Sequence, residues 1–422
     1  MEDITLPKGT RDFFGEEKSI RDYLFSILKK NFEIFGFNAL DTPAIERYDV
    51  LASKYAGGSE ILKETFKLKD QGDRDLALRY DLTVPLARFI SMNRQLKLPF
   101  KRYQIGNVWR DGPIKLGRYR EFIQCDVDTI GSKSIIADAE ILSLANKIFN
   151  ELNLKYKLLI NNRKLLDDVL IKAGVKLGDL TKTILILDKI DKFQSEIIKG
   201  ELRAFTDPKT IENIFSYIKL NFSELKEEFK DTEGYKELEQ AFEYLKKFNV
   251  RNFEFSLRLA RGLNYYTGTV FEAFLVDSEI KSSIAGGGRY DRMINDFTQD
   301  KEKKFYAVGI SFGLDVLSEA IKLRKEKFNN NLKTVFIISI NKEKEALELT
   351  NFLRENKIRT EIDLMSRNVS KNLEYVNSLG FEYVIFIGDD EVKSNKFKLR
   401  DMKSGKEELL NKNELILRLS EI

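Results

Sequence analysis

Apolar and polar positions along this chain change period several times, and each change marks an element. Between residues 16 and 35, Ile20, Leu24, Ile27, Leu28 and Phe32 recur at helical spacing. Gly36 ends that helix, and a strand carrying Pro43 follows. Helix-strand units of this kind pack either as an ordinary core or against a second copy across a dimer axis, and spacing is compatible with both. Strand patterns are expected at 75–80, 101–109 and 119–130, a helix over about 135–150, and a further apolar run at 156–160. From 161 to 249 Lys, Glu, Leu and Ile dominate helical stretches that include Asn213–Leu220 and Gly234–Lys247, which predicts a helical insertion. Strand patterns return at 252–261, 269–276 and 281–286. Phe305–Gly313 reads as a last core strand leading into a helix at Leu314–Arg324.

The Lys322–Lys333 run is charged and Asn-rich, and reads as a linker. Beyond it strands at 334–340, 358–363 and 382–387 alternate with helices at 343–356 and 368–379. Two strand-helix-strand units imply a small parallel or mixed α/β sheet.

Composition narrows the chemistry more than the fold. With 422 residues, two or three domains are expected. The net charge of +4 on 33% charged residues is only mildly basic and does not by itself announce nucleic acid. No apolar stretch is long enough to span a membrane, and the first residues are charged, so a cytoplasmic protein is expected. A single cysteine, Cys125, excludes an internal disulfide and a cysteine-based zinc site. The chain contains no histidine. Serine triads, Cys-His pairs and an imidazole base are therefore excluded. Catalysis has to come from carboxylates, arginines, lysines, bound metal or the substrate itself.

The densest chemistry lies between Leu76 and Gly131. Arg110 ends an apolar-rich strand pattern, a polar loop with Gly112, Pro113 and Gly117 follows, and the chain re-enters at Arg118-Tyr119-Arg120. Strand alternation puts Arg118, Arg120, Phe122, Gln124, Asp126 and Asp128 on one face, and Glu121, Ile123, Cys125 and Val127 on the other. Antiparallel hairpins often have one wet face. Here cations come first and anions later, an order that suits a ligand with an anionic and a cationic end.

That segment closely resembles motif 2 of the class II aminoacyl-tRNA synthetases in its histidyl-tRNA synthetase form. LPKGTRDFFGEE resembles the family's opening, and FGFNALDTPAIE its motif 1. LARGLNYYTGTVFEA and AGGGRYDRM resemble its two histidine-specific signatures. The resemblance spans the chain and is weakest from about Leu165 to Asn249. It implies an α+β class II catalytic core, an antiparallel sheet flanked by helices, over 1–160 and 250–323. The rest would be a helical insertion over 161–249, a linker at 324–332 and an anticodon-binding α/β domain at 333–422.

The same resemblance implies ATP-dependent activation of L-histidine to histidyl-adenylate and transfer to tRNA(His) by a homodimer. Mg²⁺ would arrive through ATP, with no metal held by protein side chains. By motif position Arg110 and Arg261 are catalytic, and Arg110, Arg118, Arg120 and Arg289 contact ATP. Asp81, Thr83 and Gln124 bind the substrate amine, Arg261 its carboxylate, and Asp128 and Tyr266 the imidazole. Tyr265 joins this set, although adjacent tyrosines on a strand point opposite ways and one would then be a core aromatic.

Three positions depart from the family pattern. Val316 stands where motif 3 ends in arginine, with Arg289 or Arg292 as substitutes. Asn264 replaces an aspartate. Asp111-Gly112 follows Arg110 where a glutamate belongs two residues on. The alternative function is a non-catalytic histidine-binding regulatory subunit of ATP phosphoribosyltransferase. Such paralogues typically lack both the arginine at 261 and the C-terminal domain.

Overall fold

The structure is a computed structural model. It describes residues 4–53, 60–114, 119–190, 193–260, 265–298, 304–324 and 334–420. The chain divides into two compact units, Met1–Glu326 and Lys327–Ile422. The run expected as a linker lies, from 325 to 333, outside the described residues.

In the first unit the strands run in chain order as β1 (Asn38–Ala39), β2 (Ile45–Arg47), β3 (Lys67–Lys69), β4 (Asp75–Leu78), β5 (Phe100–Trp109) and β6 (Glu121–Ile130). They continue as β7 (Tyr156–Asn162), β8 (Phe253–Phe255), β9 (Thr269–Leu275), β10 (Ala285–Arg289) and β11 (Ala307–Gly313). Eight of them form one sheet in the order β1-β5-β6-β11-β10-β9-β7-β8, while β2, β4 and β3 make a small second sheet. The large sheet is antiparallel except for the edge pairs β1–β5 and β7–β8.

The helix Gly15–Ile34 buries Ile20, Leu24, Ile27, Leu28 and Phe32, the stripe expected from spacing. Gly36, at φ +77°, ends it, as a residue with no Cβ can. Its Phe32 ring packs 5.8 Å from Phe312 of β11, and Phe149 from the helix Ile135–Glu151 meets the same ring at 5.8 Å. These aromatics tie two helices to the middle of the sheet. The helices Thr83–Met92 and Asp291–Thr298 share a separate apolar cluster with Tyr266, Val270 and Tyr290. Between 163 and 247 the regular elements of the described residues are all helices. The helix Glu233–Lys247 packs on Ile135–Glu151, Arg163–Ala173 and β7.

Two strand expectations need correction. The strand expected at 252–261 is only Phe253–Phe255, because Ser256 N–H closes on Ile160 O and Leu259 N–H turns back to Ser256 O. The strand expected at 281–286 begins later, and the glycines sit inside it rather than in a turn. They are there because neighbouring backbone comes very close. A Cβ on Gly287 would lie 2.0 Å from Gly309 O.

The second unit has β12 (Thr334–Ser339), β13 (Arg359–Ile362), β14 (Tyr383–Ile387), β15 (Phe397–Asp401) and β16 (Glu407–Leu410) in the order β13-β12-β14-β15-β16. The first three are parallel, as two strand-helix-strand units require, and the last two add antiparallel strands. Val335, Ile337 and Ile385 enter one core, and Phe336, Ile338 and Val384 another, so both faces of the sheet are covered. Charged positions in FKLRD and EELL conceal β15 and β16 from an apolar-run reading.

Candidate active site

The first unit encloses a cavity of about 910 Å³ over the face of the large sheet. Its floor is β6, paired antiparallel to β5 on one side and β11 on the other. Gln124, Asp126 and Asp128 of β6 line the cavity, as alternation predicts, while Cys125 and Val127 are fully buried in the opposite direction. Buried carboxylates on a sheet need partners. Register supplies them. Arg102 of β5 lies opposite Asp128 and is fully buried, with Nη2 2.7 Å from a carboxylate oxygen. Tyr290, just after β10, donates its phenol O–H to the other oxygen. Gly309 of β11 lies opposite Asp128 on the other side, where a Cβ would come within 1.9 Å of Oδ1.

Burial pushes the Asp128 carboxyl up, against the opposing pull of Arg102 and Tyr290. Burial and the adjacent Asp128 push the Tyr290 phenol far above its ordinary value. Asp126 lies between Gln104 and Ser311 in register. Burial is the main cause that raises its carboxyl to about 7. Arg102 opposes that shift, and the neighbouring Asp128 and Asp81 add to it.

Asp81 also lines the cavity and accepts the N–H groups of Thr83 (3.2 Å) and Val84 (2.9 Å), the first of the helix Thr83–Met92. One carboxylate thus satisfies helix-start donors and faces the ligand space. Thr83 lines the cavity as well. Arg110, at the end of β5, donates through Nε to Tyr80 O at 3.0 Å and lies over the Phe122 ring at 5.1 Å. One wall is thus a cation beside an aromatic, and the floor is acidic. This matches the order of charges along the sequence.

Of the residues singled out by sequence, Asp81, Thr83, Arg110, Gln124, Asp128, Tyr265 and Tyr266 line this one cavity. Both tyrosines reach it because Tyr265 sits in a turn rather than a strand, so strand alternation does not apply. Arg118, Arg261 and Asn264 lie outside the described residues. Arg120 does not line the cavity. It pairs with Asp111 at 3.0 Å and donates to Gly112 O at 3.4 Å.

Arg289 needs a correction. Its guanidinium is 3% exposed, paired with Asp138 and bonded to Ser132 O and Ser134 O, so it holds the start of the helix Ile135–Glu151 instead of reaching a nucleotide. Asp138, which burial pushes up, is held as the partner of that guanidinium. Among the described residues the cations that line the cavity are Arg110, Arg258 and Lys281. Val316 is not in the lining. Its neighbour Asp315 is clamped by Arg21 at 2.6 Å and Arg11 at 3.4 Å.

Asp126, Tyr290, Arg102 and Ser311 were missed as site residues. Asp126 shares the alternation of Gln124 and Asp128, and Tyr290 ends the glycine-rich signature, so both carried a signal. Arg102 and Ser311 reach the site only through cross-strand register, which the sequence does not display.

Comparison with known proteins gives a consistent answer. A family model for histidyl-tRNA synthetase matches residues 9–317, and one for an anticodon binding domain matches 334–422. The chain is 42% identical over 417 residues to a Bacillus cereus protein named histidine–tRNA ligase 1, covering 96% of this chain and 97% of that one. It aligns over the full length of both chains, at 28% identity and a TM-score of 0.86, with the crystal structure of histidyl-tRNA synthetase from Nostoc sp. PCC 7120. A Bacillus halodurans structure titled as an ATP phosphoribosyltransferase regulatory subunit/histidyl-tRNA synthetase shares the fold, at 22% identity and a TM-score of 0.75 over 90% of this chain and 97% of that one. A cavity that sets arginine against buried carboxylates, on a sheet whose 9–317 frame and 334–422 extension both match, places this chain in the histidyl-tRNA synthetase family.

Proposed function

We propose that this chain is a histidine–tRNA ligase that activates L-histidine with ATP and transfers it to tRNA(His). The observation that carries the reading is the convergence of Asp81, Gln124, Asp128 and Arg110 on one cavity. In the first step the histidine carboxylate attacks the α-phosphate of ATP. The new bond is carboxylate oxygen to phosphorus, and pyrophosphate leaves with the electron pair of the broken P–O bond. A carboxylate nucleophile needs no base, so a chain without histidine loses nothing. Negative charge moves among phosphate oxygens, and fixed cations are the natural stabilisers. Arg110 and Arg261 take that role at the α-phosphate. Arg118 takes the β- and γ-phosphates, with Arg258 and Lys281 on the cavity wall as further cations.

Asp81, Thr83 and Gln124 receive the substrate ammonium. Asp128 and Tyr266 face the imidazole, with Arg102 and Tyr290 fixing the carboxylate and Tyr265 beside them. Mg²⁺ arrives on the phosphates of ATP. Among the described residues no group of three or more Cys, Asp or Glu side chains is arranged to hold a metal. Residues 1–160 and 250–323 form the catalytic core, 161–249 its helical insertion, 324–332 the linker, and 333–422 the part that binds tRNA. The protein works as a homodimer in the cytoplasm. Among the described residues no helix is long and apolar enough to cross a membrane.

The regulatory-subunit reading has the fold-level likeness in its favour. The match of 334–422 to an anticodon binding domain and the 42% identity to a named ligase support the enzyme instead. Incubation of the full chain with ATP, histidine and tRNA(His) tests the choice. Formation of histidyl-tRNA is expected. Histidine binding with no aminoacylation would favour the regulatory reading.

A further inference from the structure

Asp81, Asp126 and Asp128 all line the cavity and all are buried, yet they are not equally served. Asp81 has the backbone N–H groups of Thr83 and Val84. Asp128 has the Tyr290 phenol on Oδ1, and its Oδ2 lies 2.7 Å from Arg102 Nη2 as an ion pair without a hydrogen bond of good geometry. Asp126 is 4% exposed, and its Oδ1 has no hydrogen-bond partner among the described residues. The Ser311 hydroxyl serves the Asp126 carboxylate and itself accepts from Gln124 Nε2 at 3.0 Å. Gln124 Oε1 is a second buried acceptor without a donor. Two such acceptors on neighbouring positions of one strand face each cost about 1–3 kcal/mol unless a ligand brings donors.

Donor counting identifies what is missing. An α-ammonium carries three N–H groups, which Asp81, Gln124 and Thr83 can take. A neutral imidazole carries one N–H and an imidazolium carries two. Asp128 takes one of them, and the acceptors open to the other nitrogen are the Tyr266 phenol oxygen and Asp126, which both line the cavity. The second, present only on the charged ring, matches the oxygen that Asp126 leaves unpaired.

Building on the ligase reading, we propose that Asp126 is a further specificity-determining residue, whose carboxylate receives the second ring N–H so that histidine is held as the imidazolium. The charges around Asp126 agree. Arg102 and Arg79 approach from the β5 side, Asp128 lies on its own strand, Asp81 precedes the helix Thr83–Met92, and Tyr290 follows β10. Three carboxylates against these two arginines leave the closed end acidic, and a ligand bearing both ammonium and imidazolium restores balance. The raised carboxyl of Asp126 means the free protein keeps a proton there near neutrality, which a charged ring displaces.

Calorimetric titration of the full chain with histidine alone, in buffers of different ionisation heat, tests this directly. At about pH 8 the free ring is neutral and Asp126 is ionised, so binding takes up close to one proton. At about pH 6 both groups are largely protonated before binding, so part of a proton is released. Asp126→Asn should abolish the uptake at pH 8 and raise the KM for histidine about tenfold, with the KM for ATP within about twofold of wild type. It should also narrow the preference for histidine over a triazolylalanine, whose ring is uncharged at neutral pH. Binding with no proton uptake at pH 8 overturns the proposal while leaving the ligase reading intact. No histidine binding at any pH overturns both. The wild-type titration alone decides if the variant does not fold.

Discussion

The two large sheets of this chain solve burial in opposite ways. In the second unit β14 is Tyr-Val-Ile-Phe-Ile, every residue is buried, and the alternating faces feed two apolar cores. In the first unit β6 is just as deeply set at its C-terminal half, yet Asp126, Asp128 and Thr129 are among its buried residues. An apolar strand needs only neighbours of the right volume. A strand with buried carboxylates needs named partners at fixed register, and Arg102, Tyr290 and Ser311 are those partners, with Gly309 leaving room for Asp128. The lesson is that the chemistry sits where a buried strand departs from an apolar run. The most polar buried strand carries the site, and the most apolar one carries shape.

Deleting the second unit is the bluntest way to break this comparison. A chain ended near residue 329 should keep histidine-dependent ATP–pyrophosphate exchange and lose aminoacylation of tRNA. If the shortened protein still charges tRNA at the full-length rate, the second unit has another job. Next in size is Arg102→Met. It leaves Asp128 buried without its cation, and removal of one partner of a buried pair costs about 3–5 kcal/mol. Denaturant unfolding should show that loss, whereas Val384→Ala in the apolar sheet should lower stability without altering the KM for histidine in folded protein. Equal effects of the two variants on that KM would erase the distinction.

Asp128→Ala separates amino acid from nucleotide recognition. It should raise the KM for histidine by a factor corresponding to about 1–3 kcal/mol and leave the KM for ATP nearly alone, because it strands Arg102 and Tyr290 but touches no phosphate contact. An equal loss for both substrates in steady-state kinetics would move Asp128 out of the amino-acid pocket.

The smallest expected effect concerns pH. The folded Asp126 carboxyl, at about 7, lies above its unfolded value, so between the two the folded state binds more protons. Its contribution to stability is therefore present at low pH and is lost as pH rises through about 7. Asp126→Asn lacks that slope. The difference between the variant and wild type in unfolding free energy should shift in the variant's favour from about pH 5 to about pH 8. A pH-independent difference would mean that Asp126 does not hold its proton in the folded state.

Much of this molecule was legible in the sequence where a pattern is local. The helix Gly15–Ile34, the β5–β6 pair and the parallel core of the second unit follow from apolar spacing, and the acidic face of β6 follows from alternation. What escaped depends on long-range geometry. Arg289 is expected at ATP as a substitute for the motif 3 arginine, but Asp138 of the helix Ile135–Glu151 captures it. Arg102 carries no signal of its own in the sequence, and only register sets it against Asp128. Tyr265 and Tyr266 both line the cavity because Tyr265 lies in a turn, where strand alternation does not apply.

The central claim is that the first unit activates histidine. Its most direct test is isotope exchange between pyrophosphate and ATP by the full chain, measured as a function of histidine concentration. Exchange is expected to rise with histidine to saturation, to be supported by histidine alone among the common amino acids, and to fall by a factor corresponding to about 3 kcal/mol in Arg261→Ala. No exchange at saturating histidine, or equal exchange with other amino acids, would contradict it.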